Sequence, residues 1–331
     1  MPRRVAIVGA GMAGLTAARI LGEQGYDVVL VEKARGAGGR MATRRQGDYR
    51  FDHGAQYFTA RDPRFLQQVQ SWQESGLVAS WQPRITVVGE GRPSGAGSQA
   101  TERFVAVPGM SAICSDLAAE LSECRFSWTV QSLARTASGW TLHSTEGETL
   151  QADVLLLSLP PEQARALLLD PEVDTTLASV EMRPCWAVMA VLDRPLLPDW
   201  DAAFINEGPL SWVASQAGKP GRPSVPAWVL HANPDWSSRF LEHEPNEVRD
   251  LLLDAARKLP IAQAFKVDFA VAHRWRYALA RQPLERGALF FESKQLALAG
   301  DWCHGSRVEG AYLSGIAAAG QISSYMPIMY W

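Results

Sequence analysis

Between Val5 and Arg40 the chain reads VAIVGAGMAGLTAARILGEQGYDVVLVEKARGAGGR, and no other stretch restricts its fold as much. Val5 to Val8 is a short apolar run with strand character. Gly9, Gly11 and Gly14 follow in GxGxxG spacing, and Leu15 to Leu21 is rich in helix formers. A second apolar run, Val28 to Val31, ends in Glu32. Strand, tight turn, helix and strand with a terminal acid, within roughly 30 residues, form a dinucleotide-binding fingerprint. Each part has a mechanical reason. Gly9 permits the turn, Gly11 lets backbone approach a pyrophosphate, and Gly14 lets the helix pack close to the strands. The helix N-terminus presents free N–H groups and the positive end of its dipole to the phosphates. Glu32 can accept bonds from an adenosine ribose, and its charge repels a 2′-phosphate there.

The residues after Glu32 distinguish among dinucleotides. Arg35-Gly36-Ala37-Gly38-Gly39-Arg40-Met41-Ala42-Thr43 is a second glycine-rich turn, absent from the NAD fingerprint. It resembles the GG-R motif of the flavoprotein amine-oxidase superfamily. There the glycines bring backbone near the FAD pyrophosphate and the arginine, here Arg40, supports that region. Near the C-terminus, Leu296-Ala297-Leu298-Ala299-Gly300-Asp301 is an apolar strand ending in Gly-Asp, and Glu309 to Gly315 opens a small-residue helix. In that superfamily the Gly-Asp acid, here Asp301, bonds a ribitol hydroxyl. The helix after it turns its N-terminus toward the flavin N1/C2 edge, where reduced flavin carries negative charge. The resemblance implies non-covalent FAD held by Gly9, Gly11, Met12, Gly14, Glu32, Arg40, Gln56, Tyr57, Val130, Asp301 and Val308. Asp52-His53-Gly54-Ala55-Gln56-Tyr57-Phe58 and His273-Arg274-Trp275-Arg276-Tyr277-Ala278 are further similar to the bacterial renalase branch. So are Gly300-Asp301-Trp302-Cys303 and Val308-Glu309-Gly310-Ala311.

Composition restricts partners more than fold. The 331 residues are 47% hydrophobic and 20% charged, enough for two sizeable cores. A net charge of −3 gives no electrostatic case for nucleic acid or an anionic membrane. The four cysteines, Cys114, Cys124, Cys185 and Cys303, make neither CxxC nor zinc spacing, which predicts no metal site and fits a reducing cytoplasm. The first strand starts near residue 4, leaving no room for a signal peptide. No apolar run approaches the ~20 residues of a spanning helix, and the apolar tail from Met326 is expected to pack on the surface.

The expected fold class is α/β: a Rossmann-type FAD-binding domain with a second, mixed-sheet α+β substrate domain. The FAD-binding domain is expected over 1–60, 99–160 and 285–331, and the substrate domain over 61–98 and 161–284. Asp62 and Pro63 read as N-cap and first residue of a helix with an apolar stripe of Phe65, Val69, Trp72 and Leu77. Ile85 to Val88 reads as a strand. Phe104 to Leu121 reads as strand, then a helix opened at Pro108-Gly109-Met110-Ser111. Ser127 to Val154 suggests a strand and a hairpin with turns at Ser138-Gly139 and Glu146-Gly147. Val130 matches the strand whose backbone contacts the adenine in the superfamily. Ala152 to Ser158 reads as a buried parallel strand, with Pro160-Pro161 marking a domain crossing. Further strands are expected at Cys185 to Leu192, Leu210 to Ala214 and Trp228 to Ala232, a helix at Asn246 to Leu259, and a loop at Lys219-Pro220-Gly221-Arg222-Pro223.

The flavin is expected to carry the electron chemistry, since neither a Ser/His/Asp elbow nor a metal constellation competes. Resemblance to renalases implies a dihydronicotinamide dinucleotide as substrate: 2- or 6-dihydro isomers of NAD(P)H, oxidised by oxygen to NAD(P)+ and hydrogen peroxide in a metabolite-repair role. A hydride whose loss leaves an aromatic ring needs little acid or base help, so no protein residue is assigned as catalytic. Tyr57, Trp302 and Tyr312 are expected to line the nicotinamide pocket. Thr59 and Arg61 are substrate candidates, Arg61 because guanidinium suits phosphate. Ala96, Gly97 and Ser98 form either a substrate loop whose N–H groups meet phosphate or a loop without function. His53 reads as a satisfied hydrogen bonder beside Asp52, and Cys185 and Trp186 as core. The rival readings are a true amine oxidase, a carotenoid-type desaturase and a flavin-binding module without turnover. The absence of any cysteine between Cys185 and Cys303 argues against a cysteine tether of FAD.

Overall fold

The run Val5 to Val8 lies in the strand Arg4–Val8, inside a six-stranded sheet. The structure is a computed structural model that describes residues 3–90 and 101–328. Across this sheet the strands run Leu289–Phe291, Leu296–Leu298, Val154–Leu157, Arg4–Val8, Asp27–Val31 and Cys124–Arg125. Every pairing is parallel except that of Leu289–Phe291 with Leu296–Leu298. Val154–Leu157 is buried throughout, and so are four of the five residues of Arg4–Val8 and of Asp27–Val31. A parallel sheet covered on both faces calls for such continuous apolar runs rather than alternation. The helix Met12–Glu23 packs against the helix Val308–Tyr325, and a Cβ on Gly315 would lie 2.5 Å from the Ala13 carbonyl oxygen. A separate antiparallel sheet, Thr149–Ala152, Gly139–Ser144 and Val130–Thr136, forms from the expected hairpins.

The second six-stranded sheet runs Val267–Ala280, Met182–Leu192, Ala227–Ala232, Leu210–Ser215, Ala202–Ile205 and Ile85–Val88. Ala202–Ile205 pairs antiparallel with Leu210–Ser215 but parallel with Ile85–Val88, so the sheet is mixed. Trp186, Val188, Trp228 and Leu230 pack with Val248 and Leu252 of the helix Pro245–Arg257 into one core. The helix Pro63–Glu74 begins as read, with the Asp62 carboxylate accepting from the Arg64 N–H at 2.9 Å and Phe65, Val69 and Trp72 buried.

The described residues of Met1–Gly39, Ile113–Met182 and Leu279–Trp331 cluster as one compact unit, and those of Arg40–Ala112 and Arg183–Ala278 as another. The boundaries differ from expectation. Pro160 and Pro161 do not mark a crossing: Pro160 caps the helix Pro161–Leu168, which stays in the first unit. Proline is favoured at a helix start because its missing N–H would have no partner there. Residues 40–60 and 101–112 group with the second unit, where the hairpin Thr43–Gln46 and Tyr49–Asp52 and the pairing of Val78–Trp81 with Arg103–Ala106 hold them. Among the described residues no helix is long and apolar enough to cross a membrane.

Candidate functional site

In the first unit the three glycines of the fingerprint meet different surroundings. Gly9 has φ +109°, and a Cβ there would lie 2.7 Å from the Ser158 carbonyl oxygen. A Cβ on Gly14 would lie 2.2 Å from the Gly9 carbonyl oxygen and 3.1 Å from the Ser158 Cβ. A Cβ on Gly11 would meet no described atom within 4 Å, although Gly11 is the N-cap of the helix. Two glycines are therefore occupied by protein, and the middle one borders open space. The helix has neither a capping side chain nor an acid in its first turn. Its terminal N–H groups are thus left for an anionic ligand.

Glu32 follows the second strand and is pinned from both sides: its carboxylate accepts from the Ala10 N–H and the Ala34 N–H, each at 2.8 Å. Each oxygen keeps acceptor capacity for a hydroxyl. Gly38 donates its N–H to the Ala10 carbonyl at 2.9 Å and accepts from the Cys114 thiol at 4.0 Å, which ties the second glycine turn to the first. Met12, Asp301, Val308 and Tyr312 are buried, and Val130 is half-buried at the start of its strand. Gly300 donates to the Ser314 hydroxyl at 2.9 Å, linking the Gly-Asp turn to the helix Val308–Tyr325. Trp302 departs from the expectation. It has 0% exposure, and its indole N–H donates to the Leu159 carbonyl at 2.9 Å, so it is a core anchor without a face open to a ligand.

The second unit holds Arg40, Gln56, Tyr57, Thr59 and Arg61. Arg40 donates to the Ala278 carbonyl at 3.2 Å. Tyr57 sits between Trp81 and Trp212, with ring centroids 5.7 and 5.8 Å away, and the Arg103 guanidinium lies 5.5 Å from its ring centroid. Thr59 is half-buried and Arg61 is exposed. Ala96, Gly97 and Ser98 lie outside the described residues.

Gln56 leads to residues that the sequence reading left in a loop. Its amide donates to the Asp52 carbonyl, and its oxygen accepts from Gln216 at 3.2 Å and from the Lys219 Nζ at 3.1 Å. Lys219 also donates to Asp52 and to Gln216, each at 3.1 Å, which uses all three of its protons. Arg222 donates to the same Asp52 oxygen at 2.7 Å. The other Asp52 oxygen accepts from Thr43 at 2.7 Å and from the Met110 N–H at 2.9 Å. The side chains of Asp52, Lys219 and Arg222 are all fully buried. Burial alone would raise the Asp52 carboxyl, but Lys219 and Arg222 outweigh it and hold it at about 2. Burial brings Lys219 down to about 8 against the opposing pull of Asp52.

A histidine cluster lies in the same unit. His53 is not the satisfied hydrogen bonder expected: its Nδ1 is buried with no partner among the described residues. Its carbonyl takes the bonds instead, from the His231 Nε2 at 3.0 Å and the Trp275 Nε1 at 2.9 Å. The ring packs on Trp275 and His273, with centroids 5.0 and 4.8 Å away. Burial, reinforced by His273, brings His53 down to about 3, and burial brings His231 to about 4. Trp275 belongs to the strand Val267–Ala280, which the sequence reading missed. Its signal was present: Val267, Phe269, Val271, His273, Trp275 and Tyr277 alternate with small or charged residues.

Comparison with known proteins identifies the domains to which these residues belong. Residues 7–72 match an NAD(P)-binding Rossmann-like domain, and residues 89–323 match the flavin containing amine oxidoreductase family. L-amino acid oxidase from Cerastes cerastes is 52% identical over 44 residues, which are 13% of this chain and 8% of that protein. The chain thus matches under a tenth of the length of such relatives, and that likeness is local. Cyclohexylamine oxidase from Brevibacterium oxydans IH-35A superposes with a TM-score of 0.72 at 15% identity, over 99% of this chain and 100% of that one. A protein from Exiguobacterium sp. 255-15, named as a candidate protoporphyrinogen oxidase, superposes with a TM-score of 0.75 at 14% identity, over 98% and 99%. The fold is therefore a Rossmann-type dinucleotide domain joined to an amine-oxidase-type domain with a mixed sheet, and the cofactor is FAD. The chain belongs to the flavin containing amine oxidoreductase family.

Proposed function

We propose that this oxidoreductase oxidises isomeric dihydronicotinamide dinucleotides, the 2- or 6-dihydro forms of NAD(P), and returns NAD(P)+. The residues of the first unit fit FAD: open space beside Gly11, an uncapped helix start, and Glu32 held ready for a ribose. Bound there, FAD would supply the hydride acceptor, with oxygen as the terminal oxidant and hydrogen peroxide as the product. We assign Gly11 and the N-terminus of Met12–Glu23 to the pyrophosphate, Glu32 to the adenosine ribose and Asp301 to the ribitol. We further assign Gln56 to the flavin and Tyr57 to the ring of the substrate. Non-covalent attachment is supported by the thiols: burial pushes Cys114 and Cys185 up to about 12 and raises Cys303, which disfavours the thiolate each would need.

One observation carries the substrate class. Two candidate bases in the second unit are already committed, and the buried His53 ring, lowered to about 3, resists taking up a proton. Lys219 spends its three protons on three acceptors, and Asp52 holds two cations. A substrate that becomes aromatic on losing hydride needs no base, so such a site suffices for it. The second reading is an amine oxidase. It is favoured by the names of the relatives and by the grouping of Tyr57, Trp81 and Trp212, rings of the kind that attract a cation. The test is anaerobic stopped-flow of the yellow protein with 2-, 4- and 6-dihydro-NAD and a panel of amines. Fast bleaching by the 2- or 6-isomer alone supports the proposal. Bleaching by an amine with all dihydronicotinamides inert overturns it.

A further inference from the structure

The buried network in the second unit has an imbalance that packing does not explain. Two cations, Lys219 and Arg222, share one carboxylate, Asp52, and among the described residues no other charged group hydrogen-bonds to any of the three. His231, which the Lys219 charge helps to keep neutral, supplies no counter-charge. A buried charge beyond the number of its counter-ions costs free energy, and neutral replacements of similar volume are often as stable. Stability alone therefore gives no reason for the ammonium. What the ammonium does uniquely is donate three bonds from one atom, and it aims them at Asp52, Gln56 and Gln216. Gln56 is thereby held at both ends, with its NH₂ on the Asp52 carbonyl and its oxygen under Lys219. The same short loop governs Tyr57 indirectly. The Lys219 Nζ lies 5.7 Å from the Trp81 ring centroid, and the Trp81 indole N–H donates to the Gly218 carbonyl at 3.1 Å. Trp81 is one of the two tryptophans beside Tyr57.

We propose that Lys219 is a positioning residue, whose ammonium fixes the Gln56 amide and the Trp81–Tyr57 ring pair and so sets how the protein holds its flavin and its substrate. This rests on the assignment of Gln56 to the flavin and Tyr57 to the substrate made above. The ammonium is required as an ammonium: a neutral amine has only two protons and leaves one of the three acceptors without a donor. Loss of the proton as the pH rises through about 8 should therefore act like loss of the side chain. Asp52 keeps its charge across that range and His231 stays neutral, whereas Lys219 changes.

The test compares wild type, Lys219→Met and Lys219→Gln, each stripped of flavin and titrated with FAD by fluorescence between pH 6.5 and 9.5. The reloaded enzymes are then assayed with whichever substrate bleaches the wild-type flavin. For wild type, FAD affinity and 1/KM are expected to fall above pH 8. At pH 7, Lys219→Met should bind FAD about tenfold more weakly, the equivalent of one lost charge-assisted bond, with no step at pH 8. Lys219→Gln, neutral but still a donor, covers the case in which the Met variant fails to fold, and should also lack the step. Wild-type affinity and an unaltered pH profile in either variant, with only a lower melting temperature, would overturn the proposal. An inert response of wild type to every dihydronicotinamide would instead overturn the substrate assignment, and the FAD titration would still decide the role of Lys219.

Discussion

Replacing Gly11 by Ala separates the ligand from the fold. A Cβ at this position meets no described protein atom within 4 Å, and the backbone there, φ −87° and ψ 177°, suits any residue. Two small effects on the apoprotein oppose each other. Fewer unfolded conformations stabilise the Ala variant by about 0.4–1 kcal/mol, and Ala is a poorer N-cap than Gly by a similar amount. The melting point of the flavin-free protein should therefore barely move. The bound state is different, because the methyl occupies the space assigned to the pyrophosphate. Overpacking by one methyl typically costs ~1–3 kcal/mol, or roughly 5–150-fold in FAD affinity.

Gly14→Ala is the control with the opposite signature. Its Cβ would sit 2.2 Å from the Gly9 carbonyl oxygen, so the helix must move off the strand, and the apoprotein itself should melt earlier. The assay is a thermal melt of each apoprotein beside a fluorescence titration with FAD. Wild-type FAD affinity in Gly11→Ala would show that the pyrophosphate does not pass Gly11. An early melt of that apoprotein would show that the open space is not as the geometry gives it.

Three further outcomes follow from the buried groups. Between pH 6.5 and 5, unfolded His53 and His231 take up protons that the folded rings, held at about 3 and about 4, refuse. Stability is therefore lost as the pH falls, by about 2 kcal/mol per ring at pH 5, and His53→Asn should lower the slope in urea unfolding, with His231 and the likewise lowered His273 keeping the rest. Asp52→Asn leaves Lys219 and Arg222 without their shared counter-ion and should cost about 3–5 kcal/mol in the same assay, whereas an exposed pair such as Arg281–Glu181 should contribute little when broken. Trp302→Ala empties a fully buried site and should cost about 3–5 kcal/mol, lowering flavin content on purification while leaving KM near wild type; a KM effect at full occupancy would restore a pocket role.

What could be read from the sequence has a common scale. The fingerprint, the Asp62–Pro63 helix start and the hairpins at Gly139 and Gly147 are each decided by residues within one or two turns of one another. Their partners stand in the same window, so propensity and spacing suffice. The Lys219 network differs in kind. Lys219 and Asp52 are 167 positions apart, and Arg222 and Asp52 are 170 apart. Read locally, Lys219-Pro220-Gly221-Arg222-Pro223 has the composition of a solvated loop, because lysine and arginine are almost never fully buried unless paired. The pairing is the missing information, and Asp52 gave no hint of it, lying beside an apolar strand residue and a histidine.

Trp302 fails for the reverse reason. An aromatic residue after a Gly-Asp turn suits a ring pocket, but the same residue type fills a core equally well. Only the Leu159 carbonyl that accepts its indole N–H decides between them. In both cases local sequence specifies which chemistry a side chain can do, and tertiary contacts decide whether that chemistry is offered to a ligand or spent on the protein. The three protons of Lys219 are spent on the protein, on Asp52, Gln56 and Gln216, and its charge lies near the ring of Trp81 beside Tyr57. A residue placed in this way alters binding without touching what is bound, so its signature is a shift in affinity with pH rather than a loss of chemistry.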